Sequence, residues 1–309
     1  MLKKALSLGL IATLGLGLMG CSSTPKTATT ETAEIEDIST AATVEESTAA
    51  ETENATVAEA DKATTTEADK SAATVEDKKK VQDAGTLVVG ITDFEPMDYK
   101  DESGNWVGFD ADMANEFAKS LGVEAKFVEI EWDNKALELD SGNIDCVWNG
   151  MTLTDEVLSA MDCSNPYCNN AQIVIVPADK ADQYKTVESL SELNFAVEVG
   201  SAGEAQAQEH GLKYTSVSNQ ASALMEVAAG TSDAAIIDSL MAAAMVGEGT
   251  SYDNLTYTVG LNDEEYGVGF RKGSDLKDEL NAFFKSTYAD GSMKSVAEKY
   301  GVQASLIEQ

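Results

Sequence analysis

The sequence holds one histidine, His210, and one arginine, Arg271, in 309 residues. His210 stands in a polar Gln-Glu-His-Gly segment that reads as a helix end. A Ser–His or Cys–His pair therefore has no base to draw on, and zinc has no ligand set. Positive charge is scarce throughout: 21 lysines and arginines face 54 acids, a formal charge of −33. Such a balance argues against a nucleic-acid partner. No motif for a cofactor or metal stands out. Past the first twenty residues, no apolar run reaches the ~20 residues that a membrane-spanning helix needs.

What is present begins with an export signal. Lys3 and Lys4 precede an apolar stretch from Ala5 to Leu18, too short for an ordinary spanning helix and flanked as a secretory signal is. It runs into Leu18-Met19-Gly20-Cys21, which resembles a lipobox, and this implies that Cys21 is lipidated and becomes the mature N-terminus. A lipidated cysteine carrying several acyl chains, palmitate among them, would supply a stable membrane anchor, since one chain holds only marginally. From Ser22 to Lys80, 32 of 59 residues are Ala, Thr or Ser and none is aromatic. A segment of this composition cannot offset its ordering entropy by burial, and a disordered tether is expected over 22–80.

Val81 to Gln309 forms the expected folded body, 229 residues with 40 acids and 13 bases. Its pattern alternates strand and helix. Leu87 to Ile91 is a continuous apolar run, as expected of a parallel strand covered on both faces. Strands are expected over Lys126–Trp132, Ile144–Trp148, Gln172–Val176, Phe195–Val199, Ala234–Ile237 and Tyr266–Phe270. Helices are expected over Phe109–Leu121, Lys135–Leu139, Glu204–Glu209, Ser218–Ala229, Leu276–Tyr288 and Met293–Tyr300. This alternation predicts an α/β body with parallel sheets and helices on both faces. Cys146 falls in a strand and reads as a buried thiol. Cys163 and Cys168 either close a small loop in an oxidising compartment or remain free.

Two small-residue turns, Asn149-Gly-Met-Thr152 and Gly200-Ser-Ala-Gly203, each follow a strand and precede a helix. Thr154 reads as the cap of the helix after the first. In open α/β sheets, ligands bind beyond the carboxyl ends of strands, where helix N-termini attract anions. The first turn is thus a place for a carboxylate.

Several segments together resemble the family 3 extracellular solute-binding proteins, the polar amino acid receptors of ABC importers. They are Gly85-Thr-Leu-Val-Val-Gly90, Phe94-Glu-Pro96, Val107-Gly-Phe-Asp-Ala-Asp112, Gly142-Asn-Ile-Asp145, Asn149-Gly-Met-Thr-Leu-Thr-Asp-Glu156, Asn165-Pro-Tyr167 and Tyr266-Gly-Val-Gly-Phe-Arg-Lys-Gly-Ser274. The resemblance implies a two-lobed periplasmic-binding-protein-like fold of type II with two hinge crossovers. Lobe 1 would comprise 81–175 and 267–309, and lobe 2 would comprise 176–266.

The resemblance also assigns a ligand site. Phe94 and Trp132 would wall it, and Gly150 and Thr152, with Asn149 beside them, would meet an α-carboxylate. Ser201, Ala202 and Gly203 would be the second lobe's contribution, and Asp238 would receive the α-ammonium group. A carboxylate ending an apolar strand is costly unless paired, which fits Asp238 to a cleft. The sequence departs from the family at Val157, where an arginine should fork the carboxylate. Glu198 stands where relatives carry other ligand-contacting residues, and it points either into the cleft or outward. Asp93 and Glu95 follow the first strand, and reach for the ligand or miss it.

The implied function is an extracytoplasmic, lipid-anchored, monomeric binder that delivers a small polar solute, an amino acid, to an ABC permease. The acidic residues leave open a cationic amine or other solute. A carboxylate-based enzyme of the same fold, dehydratase-like, and the input domain of a membrane sensor are the rival classes. A sensor would need a spanning helix that this sequence lacks, and no cofactor is implied.

Overall fold

The computed structural model describes residues 76–309. The signal, the Cys21 lipobox and the expected tether up to residue 75 lie outside the described residues. The first helix, α1 (Asp77–Ala84), lies partly inside the segment whose composition reads as tether. It is part of the fold because Val81 is buried and because Asp77 binds Arg271, with Nη2 to Oδ1 at 2.8 Å.

Two sheets follow. The first contains β1 (Thr86–Ile91), β4 (Glu124–Glu129), β5 (Cys146–Thr152), β6 (Asp162–Cys163), β7 (Cys168–Asn170) and β13 (Glu264–Phe270). Its order is β4-β1-β5-β13-β6, with β7 also on β13. A small hairpin, β2 (Tyr99–Lys100) and β3 (Trp106–Val107), turns at Asp101–Asn105. Helices α2 (Phe109–Ser120), α3 (Lys135–Ser141), α4 (Asp155–Ala160), α8 (Leu276–Asp290) and α9 (Ser292–Tyr300) accompany this sheet.

The second sheet has the order β10-β9-β11-β8-β12. Its strands are β8 (Gln172–Pro177), β9 (Asn194–Glu198), β10 (Lys213–Val217), β11 (Ala234–Asp238) and β12 (Leu255–Gly260). Helices α5 (Ala202–Glu209), α6 (Gln220–Ala229) and α7 (Ser239–Met245) complete the lobe.

Both sheets are mixed rather than wholly parallel. β1 is parallel to β4 and β5, and β9 is parallel to β10 and β11. The antiparallel members include β8 and β13, the two strands by which the chain crosses between lobes. Only Ala171 separates β7 from β8, and only residues 261–263 separate β12 from β13. The expected lobe boundaries at 175/176 and 266/267 therefore fall inside β8 and β13. The crossovers sit three to five residues earlier.

The core of the first lobe packs Leu87, Val89 and Ile91 of β1 against Met113 and Phe117 of α2. In the same cluster, α8 sends Phe284 edge-on against Trp148, ring centroids 5.6 Å apart. A separate apolar cluster of Trp132, Ile144, Val147, Met151, Val157 and Met161 lies under the cleft described below. Cys146 is buried as expected, and Cys163 and Cys168 are free thiols, so the small loop is not closed.

Candidate functional site

The stretch expected to turn at Asn149–Thr152 continues as strand, since β5 runs to Thr152. Gly150 still breaks its regularity, with φ at 54°. A Cβ there would stand 2.5 Å from Cε1 of Phe94. Glycine thus lets the Phe94 ring lie directly on the strand end.

The donors at this end are already committed. Gly150 N–H donates to Asp110 Oδ2 at 2.7 Å, and the same oxygen accepts the Tyr167 hydroxyl at 2.7 Å. Asn149 exchanges two hydrogen bonds with Thr92, both 2.9 Å. Thr152 Oγ1 donates to Glu264 Oε1 at 2.9 Å. Thr154 caps α4 as expected, its Oγ1 accepting from Val157 N at 3.2 Å. In this structure the Gly150 N–H and the Thr152 hydroxyl are both engaged within the protein and fix the strand end. Val157 is buried with Trp132, Met151 and Met161.

The second sheet brings its own strand ends to the same place. β9 ends in Glu198 and β11 in Asp238, both 3% exposed. Asp238 is gripped by amides: Oδ1 accepts from Gln172 Nε2 at 2.7 Å and from Asn170 Nδ2, and Oδ2 accepts from Gln220 Nε2. Its backbone N–H donates to Gln220 Oε1 at 2.8 Å. The amides of Asn170 and Gln172 also reach Glu264 Oε1, at 2.6 and 2.8 Å. Asn170 precedes one crossover and Glu264 follows the other, so this polar cluster ties both crossovers to the base of the cleft.

Glu198 is held less. Its Oε1 has no hydrogen-bond partner among the described residues. Burial, and then the nearby Asp238 carboxylate, push its pKa up to about 8, while Lys135 pulls the other way. Burial and Glu264 likewise hold Asp238 well above the ordinary carboxylate range, with Gln220 opposing. A buried carboxyl oxygen that accepts no hydrogen bond is costly until something donates to it.

Ser201 caps α5, accepting from Glu204 N at 3.1 Å. Gly200, with φ at 70°, is where the lobes approach: a Cβ there would meet Cα of Asp133 at 2.8 Å. Gly203 has a different task. A Cβ on it would stand 3.1 Å from the Ile236 carbonyl, so it lets α5 lie close on β11.

Between these two strand-end groups is a cavity of about 470 Å³. Phe94, Trp132, Asn149, Gly150, Thr152, Val157, Glu198, Ser201, Ala202 and Asp238 all line it. Gly203 does not, nor do Asp93 and Glu95. Arg271 sits elsewhere, joining Asp77 and Asp145 and donating to the carbonyls of Leu139 and Ile144. It knits α1 to the first lobe and is not a ligand group.

Among the lining residues not anticipated from sequence are Gln220, which clamps Asp238, and Lys135. Lys135 opens α3, where a cation opposes the helix macrodipole. A lysine in that unfavourable place, three residues after a candidate wall aromatic, is the signal that was available. Its Nζ donates to Trp132 O at 3.2 Å and across the cleft to Gly200 O at 2.9 Å. Among the described residues no cluster suited to a metal ion occurs, and no helix is long and apolar enough to cross a membrane.

Known proteins share this architecture. The chain is 29% identical over 226 residues to the L-cystine-binding protein TcyJ of Escherichia coli K12, covering 72% of this chain and 84% of that one. It is 31% identical over 229 residues to the ABC transporter glutamine-binding protein GlnH of Bacillus subtilis, covering 71% and 82%. Among solved structures it resembles the ancestral amino acid-binding protein AncCDT-1, a precursor of cyclohexadienyl dehydratase. The TM-score is 0.67 at 33% identity, over 73% of this chain and 99% of that one. These relatives and the two-lobed fold agree with a family model that matches residues 87–303. The chain belongs to the bacterial extracellular solute-binding proteins, family 3.

Proposed function

We propose that the protein captures an amino acid in the cleft between its lobes, outside the cytoplasm, and delivers it to an ABC importer. The observation that carries this reading is the pair of buried carboxylates, Glu198 and Asp238, opening on a cavity walled by Phe94 and Trp132. An unpartnered buried carboxylate oxygen calls for a donor, and an α-ammonium group supplies three. Aromatic faces beside it favour a cation further. The cavity volume is within the ~300–1,000 Å³ usual for small-molecule sites. The relatives' names, cystine and glutamine binding, support the ligand class.

Cys21 as a lipid anchor, with a monomeric binder held at the outer face of the membrane, belongs to the same reading. It is supported by the Leu18-Met-Gly-Cys21 sequence. Catalysis is not part of it: the cleft holds no histidine, and the Asp238 carboxylate is braced by amides. The excess of acids on the cavity wall favours one second reading, a cationic amine without a carboxylate.

Calorimetric titration of ligand-stripped protein against the L-amino acids and common polyamines separates them. Tight binding of a free amino acid that is recovered unchanged supports the proposal. Binding of polyamines alone supports the second reading, and turnover of the bound solute would overturn both.

A further inference from the structure

Six acidic side chains line the cavity, those of Asp133, Asp155, Glu156, Glu198, Glu204 and Asp238, against one basic side chain, Lys135, so acids predominate even with Glu198 and Asp238 protonated. A zwitterion entering this space carries its own carboxylate into a field of like charge. Only one side chain on the wall can offset that repulsion.

Lys135 is placed to do so. Its two hydrogen bonds go to backbone carbonyls, Trp132 at 3.2 Å and Gly200 at 2.9 Å. An ammonium has three N–H donors, so one remains. Lys135 pairs with no carboxylate among the described residues; burial lowers its pKa from the ordinary lysine value, and the nearby Glu198, Glu156 and Asp133 oppose that shift. The Trp132 ring, its centroid 4.8 Å from Nζ, attracts the ammonium through its π face. Gly200 in turn leads directly into the cap of α5. There the N–H of Ala202, at the first helical position, has no intrahelical acceptor. The Ser201 hydroxyl accepts from Glu204 N and keeps its own hydrogen to give. Both residues line the cavity. Charge, hydroxyl and backbone donor thus converge on one edge, while the donors of Gly150 and Thr152 are spent elsewhere.

We infer that Lys135 is the specificity-determining residue that receives the carboxylate of the captured amino acid, from the opposite lobe to Ser201 and Ala202. This inference rests on the amino-acid reading above. It accounts for an apolar residue at 157, since the positive charge comes from α3 instead of α4.

The test uses the full-length chain, freed of bound solute by unfolding and refolding. L-cystine, L-glutamine, L-arginine and L-histidine are titrated in parallel with the α-carboxamide of each. The wild type is expected to bind at least one free acid ten times or more tightly than its amide. Lys135→Met and Lys135→Gln should bring that ratio close to one, with melting temperatures near the wild type, and Lys135→Arg should preserve it. Glutamine can keep the backbone hydrogen bonds without the charge, so it stands in if the methionine variant does not fold. A role confined to holding Gly200 would weaken acid and amide alike and leave the ratio unchanged, which overturns the inference. Equal binding of acid and amide by the wild type overturns it too, with the amino-acid reading intact. Failure of the wild type to bind any of the twenty L-amino acids or cystine, titrated in the same way, overturns both.

Discussion

A Cβ at residue 150 would stand 2.5 Å from Phe94 Cε1 and 3.1 Å from Tyr266 Cε2, on a backbone held at φ 54°. Gly150→Ala therefore carries left-handed strain of ~1–3 kcal/mol and must also displace an aromatic wall of the cleft. The expected result is a lower denaturation midpoint together with a tenfold or greater loss of ligand affinity. Unchanged affinity would mean that the Phe94 ring does not touch the ligand. At residue 157 the direction reverses. Val157→Arg adds a second cation to the cavity wall, and a charge-assisted bond contributes ~1.5–3 kcal/mol. Affinity for a free amino acid should rise roughly tenfold to a hundredfold in the same titration. No gain across the amino-acid panel would show that the carboxylate lies out of reach of residue 157. At this scale the sequence was informative at and just past strand ends: Glu198 and Asp238 end β9 and β11, Phe94 stands three residues beyond β1, and a charge or ring at such a place is conspicuous. Lys135 was not, because its meaning lies in the Gly200 carbonyl, which is 65 residues away and joined to it only by closure of the two lobes.

Among the elements, the continuous apolar strands were legible and the one-sided ones were not. All five residues of β11 are buried, and its run Ala-Ala-Ile-Ile is plain in the sequence. β10, Lys-Tyr-Thr-Ser-Val, pairs only with β9 and has mostly exposed side chains, so no apolar run announces it. β12 and α7 were missed for related reasons: one is an edge strand, and the other is a short helix joined directly to β11. The fold's N-terminal limit was set too late because α1 is rich in charge and poor in apolar residues, apart from Val81. What fastens it is electrostatic. Arg271 Nη2 is 2.8 Å from Asp77 Oδ1 and 3.3 Å from Asp145 Oδ1, and the Asp77 carboxylate is nearly inaccessible. Asp77→Asn keeps the shape and removes one charge. Its cost should fall short of the ~3–5 kcal/mol of an uncompensated buried ion, because Asp145 still faces the guanidinium. A urea midpoint equal to that of the wild type would show that α1 contributes nothing to the stability of the first lobe.

Over the whole molecule, buried acids outnumber their partners, and this sets the direction of its response to pH. Burial raises Glu198 to about 8 and Asp110 to about 7, and raises Asp98 and Asp238 as well. In the unfolded chain such carboxyls titrate near ~4. Between these limits the folded, empty protein holds more protons than the unfolded chain, so its stability must fall as pH rises from about 4 to about 8. The two lobes answer differently to ligand. Asp98 and Asp110 do not line the cavity, so their share of the slope should persist when the site is filled. Glu198 and Asp238 do line it, and an ammonium group set against them favours their ionised forms. Binding at neutral pH should then release protons, affinity should increase with pH up to about 8, and the ligand-induced rise in melting temperature should grow over the same range. Calorimetry in two buffers of different ionisation enthalpy counts the protons, and Glu198→Gln should reduce that count while leaving the ligand-independent slope in place. Proton uptake on binding, or a count untouched by Glu198→Gln, would place the ligand's positive charge away from Glu198, and the cleft would have to be read with the opposite polarity.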